Sequence, residues 1–203
     1  VYIAFMTAIS VARERDSGTL EVLFFGPVDE VAYILGKFLE AISLYTVMLF
    51  LYLFVIFLFV KLTAFGLSAN LIWSIIYSLA FITSVAALGI FFSSIAIKMR
   101  NAVLLLILFF TVVLSVQWVN NIVAGLDPLM ISPALSFAAS ILYWSARVMA
   151  WISPFAYLDR GMRAILLGDL TIYLENLVFV ILYGALLLSA AVLMLRKKGV
   201  NAG

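Results

Sequence analysis

Four uninterrupted apolar runs, roughly Phe38–Val60, Leu71–Ile97, Ala102–Ala124 and Asn176–Leu195, limit what this chain can become. Each is long enough to cross a hydrocarbon core about 30 Å thick, which takes about 20 helical residues. Backbone in hydrocarbon must satisfy its own N–H and C=O groups, so runs of this kind cross as helices. They are too long and too continuous for the strands of an outer-membrane barrel, which alternate over about 10 residues. A water-soluble fold lacks the polar surface it would need. Of 203 residues, 67% are hydrophobic and 11% charged, against about 45–50% and 25% in soluble domains. The expected fold is all-α, a polytopic membrane helix bundle forming a single domain over residues 1–203, with no internal repeat or soluble unit.

The segment Val1–Ala12 is also apolar, but at ~1.5 Å per residue it covers only about 18 Å. It reads as the last part of a span whose start lies upstream, so at least one further helix is expected in the parent protein. Cytoplasmic loops carry an excess of Lys and Arg. With alternating sides, the inner face receives Arg13, Arg15, Lys37, Lys98, Arg100, Arg196, Lys197 and Lys198; the outer face receives Lys61, Arg147, Arg160 and Arg163. Residues 63–70 form an outer turn and 98–101 a tight inner one. Leu135–Ile152 is apolar enough to suggest a further crossing. It contains Arg147, which costs about 2.5–3.5 kcal/mol at a bilayer centre, and a crossing there would put Arg196 outside. An outer re-entrant or interfacial helix is expected instead.

Several chemistries are excluded. Net charge is +2 and there is no cysteine or histidine, which leaves no field for nucleic acid, no thiol chemistry and no imidazole relay. A nucleotide P-loop needs G-x-x-x-x-G-K-[ST]; here Gly36-Lys37 is followed by Phe38, with Val31 at the first glycine position. That pair reads instead as a small packing residue and a lysine snorkelling at the membrane edge. Ion-coupled transporters place ionisable groups at depth, whereas Glu40 and Glu175 lie near span ends.

Against this background the stretch Arg13-Glu14-Arg15-Asp16-Ser17-Gly18-Thr19-Leu20-Glu21 stands out as a charged island. It reads as a short interfacial helix. Asp16, Ser17 or Thr19 supplies the cap, Glu21 lies in the first turn where the helix dipole favours an anion, and Leu20, Leu23 and Phe24 form the apolar side. Gly26-Pro27 ends it, and Asp29 and Glu30 open the next helix through Gly36-Lys37. An ordinary polar loop obeying the positive-inside rule is an equal reading on physical grounds.

The ordered set Glu14-Arg15-Asp16-Ser17-Gly18-Thr19-Leu20-Glu21, Gly26-Pro27-Val28 and Leu35-Gly36-Lys37 resembles the signature loop of type-2 ABC exporter permeases. Asp16 stands where that pattern has Glu. Ile152-Ser153-Pro154-Phe155, Arg160-Gly161 and Gly168-Asp169-Leu170 are similar to the outer segment before that family's last helix. The resemblance implies a cell-membrane subunit of six transmembrane helices that pairs with a second permease subunit, as homo- or heterodimer. It also implies a cytoplasmic ABC ATPase partner that binds ATP and magnesium, with no cofactor on this chain. It assigns Glu14, Arg15, Asp16, Gly18, Thr19 and Glu21 to a coupling helix that contacts the ATPase, Gly18 for a backbone turn and Thr19 for a cap.

The remaining polar residues have structural readings beside functional ones. Ser78, Thr83, Ser84, Ser93 and Ser94 accompany Ala80/Ser84 and Gly89/Ser93 at small-xxx-small spacing, which permits close helix approach; a substrate path is the alternative. Gln117, Asn120 and Asn121 fit a helix cap, a dimer seam or an outer exit. Asp159, Arg160, Arg163 and Asp169 read as a solvated outer cluster, or as a salt-bridged outer gate. Trp118, Trp144 and Trp151 fit an outer aromatic belt. A different class, an intramembrane lipid-modifying enzyme, would gather carboxylates or histidines at the membrane edge; the inner acids Glu14, Asp16, Glu21, Asp29, Glu30 and Glu40 form no recognisable metal-ligand pattern. An ATPase-free scaffold is a third reading. No residue cluster names a substrate.

Overall fold

The computed structural model describes residues 2–24, 29–63, 66, 70–125 and 133–199. The expected helix stop at Gly26-Pro27 and most of the outer turn at 63–70 fall outside these residues. The described elements are helices: α1 (Tyr2–Asp16), α2 (Thr19–Phe24), α3 (Glu30–Thr63), α4 (Asn70–Ile95), α5 (Met99–Ala124), α6 (Pro133–Ile152), α7 (Pro154–Leu167) and α8 (Leu170–Gly199). Among them α3, α4, α5 and α8 are long and apolar enough to cross a membrane, matching the four runs.

Small residues decide which helix is central. α4 carries Ala86, Ala87, Gly89, Ser93 and Ser94 at its inner half, all buried, and α1, α3, α5, α7 and α8 pack around it. A Cβ on Gly89 would clash with the Thr7 hydroxyl and stand 2.7 Å from the Ala4 carbonyl oxygen. The absent side chain is therefore what lets α1 and α4 touch backbone to backbone. At the same interface the Ala12 amide donates to Ser93 Oγ over 2.8 Å. On the opposite face, Ser84 backbone atoms lie 3.4–3.5 Å from the Cβ position of Gly184 on α8. Both small-xxx-small pairs thus serve helix packing, and Ser78, Thr83, Ser84 and Ser94 turn their hydroxyls onto carbonyls of their own helix.

The inner group of basic residues gathers at one end of the bundle, as charge counting expects. The C-terminal ends of α1, α4 and α8 gather with the N-terminal ends of α3 and α5, as shown by Arg15 on the Ser94 and Ala96 carbonyls and by Arg196 3.8 Å from Glu30. The inner turn comes slightly earlier than expected, at residues 96–98, because α4 stops at Ile95.

The outer segment resolves into a re-entrant hairpin. α6 and α7 meet at Ser153, which is fully buried. Tyr183 donates to the Ile152 carbonyl at 2.5 Å, and it lies thirteen residues into α8, about 20 Å from that helix's outer end at ~1.5 Å per residue. Phe155, just past the apex, packs on Phe81 of α4 (5.9 Å) and Phe110 of α5 (5.3 Å). The apex therefore reaches the middle of the bundle, and α7 climbs back to Gly168. There Asp169 Oδ1 accepts the Thr171 and Ile172 amides and starts α8, earlier than the apolar run alone implied.

Two expectations are corrected here. Trp151 is not in an outer belt: it sits beside the apex, edge-on to Phe179 (5.7 Å) and Tyr157 (6.4 Å). The four-residue outer cluster is not one unit. Asp159 and Arg163 form an exposed pair at 2.8 Å, Asp169 caps α8, and Arg160 turns towards α6. One-turn spacing pairs Asp159 with Arg163, whereas Arg160 projects to a different face of α7.

Candidate functional site

The charged island folds as the end of α1, a tight turn and the short helix α2. Four C-terminal carbonyls of a helix lack intrahelical donors, and the turn supplies several. The Ser17 amide donates to the Arg13 carbonyl and the Gly18 amide to that of Arg15. Thr19 Oγ1 donates to the Glu14 carbonyl at 3.0 Å and Ser17 Oγ to the same oxygen at 3.2 Å. The hydroxyls expected to cap the start of α2 thus finish α1 instead, because the sharp reversal brings them over that end. Gly18 makes the reversal with φ +71, a left-handed conformation that costs a residue with a Cβ about 1–2 kcal/mol. Among the described residues nothing lies within 4 Å of its Cβ position, so there it is the backbone geometry that demands glycine.

Two side chains of the island face inward. Glu14, half-buried, holds Lys37 Nζ at 2.6 Å through Oε1 and accepts the Tyr33 hydroxyl at 2.7 Å through Oε2. Lys37 also lies 3.4 Å from Glu40. Arg15 donates through Nη1 to the carbonyls of Ser94 (3.0 Å) and Ala96 (2.6 Å), closing the end of α4. A cation there also meets the negative pole of the helix dipole. Burial lowers the Arg15 pKa from its ordinary value, yet a guanidinium starts so high that it stays charged.

The other island residues face outward. Asp16, Ser17, Gly18 and Thr19 are exposed. Leu20 is 6% exposed and anchors α2 in an apolar cluster with Val11, Ile34, Ile90, Ala191 and Leu195. Val22 is 71% exposed and Leu23 38%, so the apolar side expected of Leu20 and Leu23 is split, one residue in the core and one partly out. Glu21 belongs to α2, and its side chain, like that of Phe24, lies outside the described residues.

The partners of Glu14 and Arg15 went unread in the sequence. Lys37 counted as a snorkelling lysine and Tyr33 carried no signal. The Ser94 and Ala96 carbonyls are backbone, which no side-chain pattern announces. Among the described residues nothing lies within 4 Å of the Cβ position of Gly36, so no helix packs against it there. Among the described residues, no group of three or more His, Cys, Asp or Glu could hold a metal ion.

The inner end of the bundle thus presents a small polar turn and an exposed helix face, tied to α1, α3 and α4 by an ion pair, a tyrosine hydroxyl, two carbonyl caps and a buried leucine. No curated protein and no solved structure matches the chain. A family model described as ABC-2 family transporter protein matches residues 1–193, nearly the whole chain, including the island, the four long helices and the re-entrant hairpin. The chain belongs to the ABC-2 transporter family, and it is a membrane-spanning permease subunit of an ABC transporter.

Proposed function

We propose that this permease forms half of the transmembrane pathway of an exporter in the cell membrane, paired with a second permease subunit. The driving force is ATP hydrolysis on a separate cytoplasmic ABC ATPase, which carries ATP and magnesium; this chain carries no cofactor. The ATPase docks on the α1–α2 turn, where Asp16, Gly18, Thr19, Glu21 and Val22 form the contact. Glu14 and Arg15 act from behind it, holding the turn to α3 and α4.

The observation behind this reading is the mounting of α2. An exposed six-residue helix would fray if left alone, but Leu20 seats this one in an apolar cluster with residues of α1, α3, α4 and α8, and Glu14 and Arg15 fix the adjoining end of α1 to α3 and α4. A push on α2 therefore moves α1, α3 and α4 as a body rather than bending a loop. The polar turn and the exposed Val22 give a partner both hydrogen-bonding and apolar surface.

These 203 residues contain no cysteine, so a thiol can be placed on α2 without a competing one nearby. Val22→Cys in the full-length protein should cross-link to a cysteine on the partner ATPase in membranes, and the yield should change with nucleotide. Recovery of intact permease in mild detergent without an ATPase, together with no cross-link from Val22→Cys, would reject the reading.

A further inference from the structure

An α-helix that ends in the middle of a membrane leaves its last carbonyls without donors and without water. α6 ends in this way at Ile152. Its final carbonyls are taken by side chains from outside the helix: Ala150 by Arg160 Nη2 (3.1 Å), Trp151 by the Tyr157 hydroxyl (3.0 Å) and Ile152 by the Tyr183 hydroxyl (2.5 Å). Arg160 also donates through Nε to the Ala156 carbonyl at 3.3 Å, within α7. Among the described residues it pairs with no carboxylate. Its charge faces the negative end of the α6 dipole and the ring faces of Tyr157 (4.5 Å) and Trp151 (5.4 Å), two environments that favour a cation. The half-buried guanidinium is thus matched to the truncated helix it closes.

We propose that Arg160 is a positioning residue for transport: by capping α6 inside the membrane it keeps the apex of the α6–α7 hairpin inserted between α4, α5 and α8. Tyr183 secures the same end from α8. The transport consequence rests on the permease reading above; the position of the apex does not. Without the guanidinium the Ala150 carbonyl lacks its donor in a dry environment, and the apex relieves this by moving outward to water.

Ser153 provides the reporter. It is fully buried, and Oγ has no hydrogen-bond partner among the described residues, so Ser153→Cys breaks no bond seen there and places one thiol among these 203 residues, any cysteine elsewhere in the full-length protein being replaced beforehand. In membranes carrying the full-length protein and its ATPase, a membrane-impermeant maleimide added outside should modify Cys at 153 slowly. Arg160→Met should raise the rate by about tenfold or more and reduce transport, because a buried acceptor has lost its charged donor. Arg160→Lys, which keeps a cation and one donor, should fall nearer the parent in both readouts. Tyr183→Phe removes only the hydroxyl and should raise the rate by a smaller factor. A labelling rate unchanged by Arg160→Met overturns the proposal, whatever Tyr183→Phe does. If Arg160→Met does not fold, Tyr183→Phe decides alone, an unchanged rate overturning it and a raised rate supporting it. Faster labelling without ATP-driven export in any background, parent included, would uphold the positioning role and count against the exporter reading.

Discussion

Glu14, at the end of α1, and Lys37, on the second turn of α3, meet at 2.6 Å across the base of the bundle, with Tyr33 donating to the other oxygen of the same carboxylate. The side chains of the pair are 25% and 21% exposed, so the interaction is only partly screened by water. It links the helices on either side of the α1–α2 turn.

A double-mutant cycle on this pair should return a coupling of about 1 kcal/mol, above the usual value for fully exposed ion pairs. Glu14→Gln and Lys37→Met should each lower the unfolding midpoint in detergent. Lys37→Met should do so more, since it leaves a half-buried carboxylate without its cation, whereas the amide oxygen that Glu14→Gln introduces can still accept the Tyr33 hydroxyl. Additive single effects would show that the pair contributes no coupling.

Gly18→Ala should cost about 1–2 kcal/mol through backbone strain alone, because its Cβ meets open space. Gly18→Asn should cost less, since asparagine enters the left-handed region more readily. Thermal midpoints of the three proteins, read beside ATPase co-purification, check the order Gly, Asn, Ala.

Gly89→Ala should be more damaging than Gly18→Ala, by several kcal/mol, since its Cβ collides with Thr7 and crowds the Ala4 carbonyl. Adding Thr7→Ala should recover part of the loss but not all of it, because the backbone contact remains. The fraction of monodisperse protein after detergent extraction gives the measurement. Equal behaviour of Gly89→Ala and the parent would mean that α1 and α4 are not in backbone contact.

Arg15→Leu should expose the end of α4. Losing two carbonyl bonds to a charged donor costs about 1.5–3 kcal/mol. Hydrogen exchange should quicken at residues 96–102, which adjoin the lost cap, and remain unchanged near Asp169 at the opposite end. Uniform acceleration across the protein would instead indicate global loosening.

What could be read from the sequence was what depends on solvent and local period. The four spans follow from apolar length, and the inner grouping of Arg13, Arg15, Lys37, Lys98, Arg100, Arg196 and Lys197 follows from the penalty on charge in hydrocarbon. The turn at Gly18 was legible only through the resemblance of the island to a known signature loop. Residues defined by partners distant in the chain were not legible. Glu14 finds Lys37 only once α3 has set its register, and Arg15 finds backbone carbonyls about eighty residues away. Trp151 and Arg160 have the composition of an outer interface, but depth belongs to the folded hairpin: Ile152-Ser153-Pro154 reads equally well as a loop on the surface or as an apex at mid-membrane.

The hairpin also makes the two leaflets unequal to this protein. α6 and α7 descend only to about the middle, so the outer leaflet must make room for two helices that the inner leaflet does not meet, each about 10–12 Å across with side chains. Lateral pressure applied to the outer leaflet therefore acts directly on the hairpin, and a bilayer whose outer leaflet packs tightly favours a withdrawn or compressed apex. The lipid surrounding this permease is in mechanical contact with the element that Arg160 holds in place.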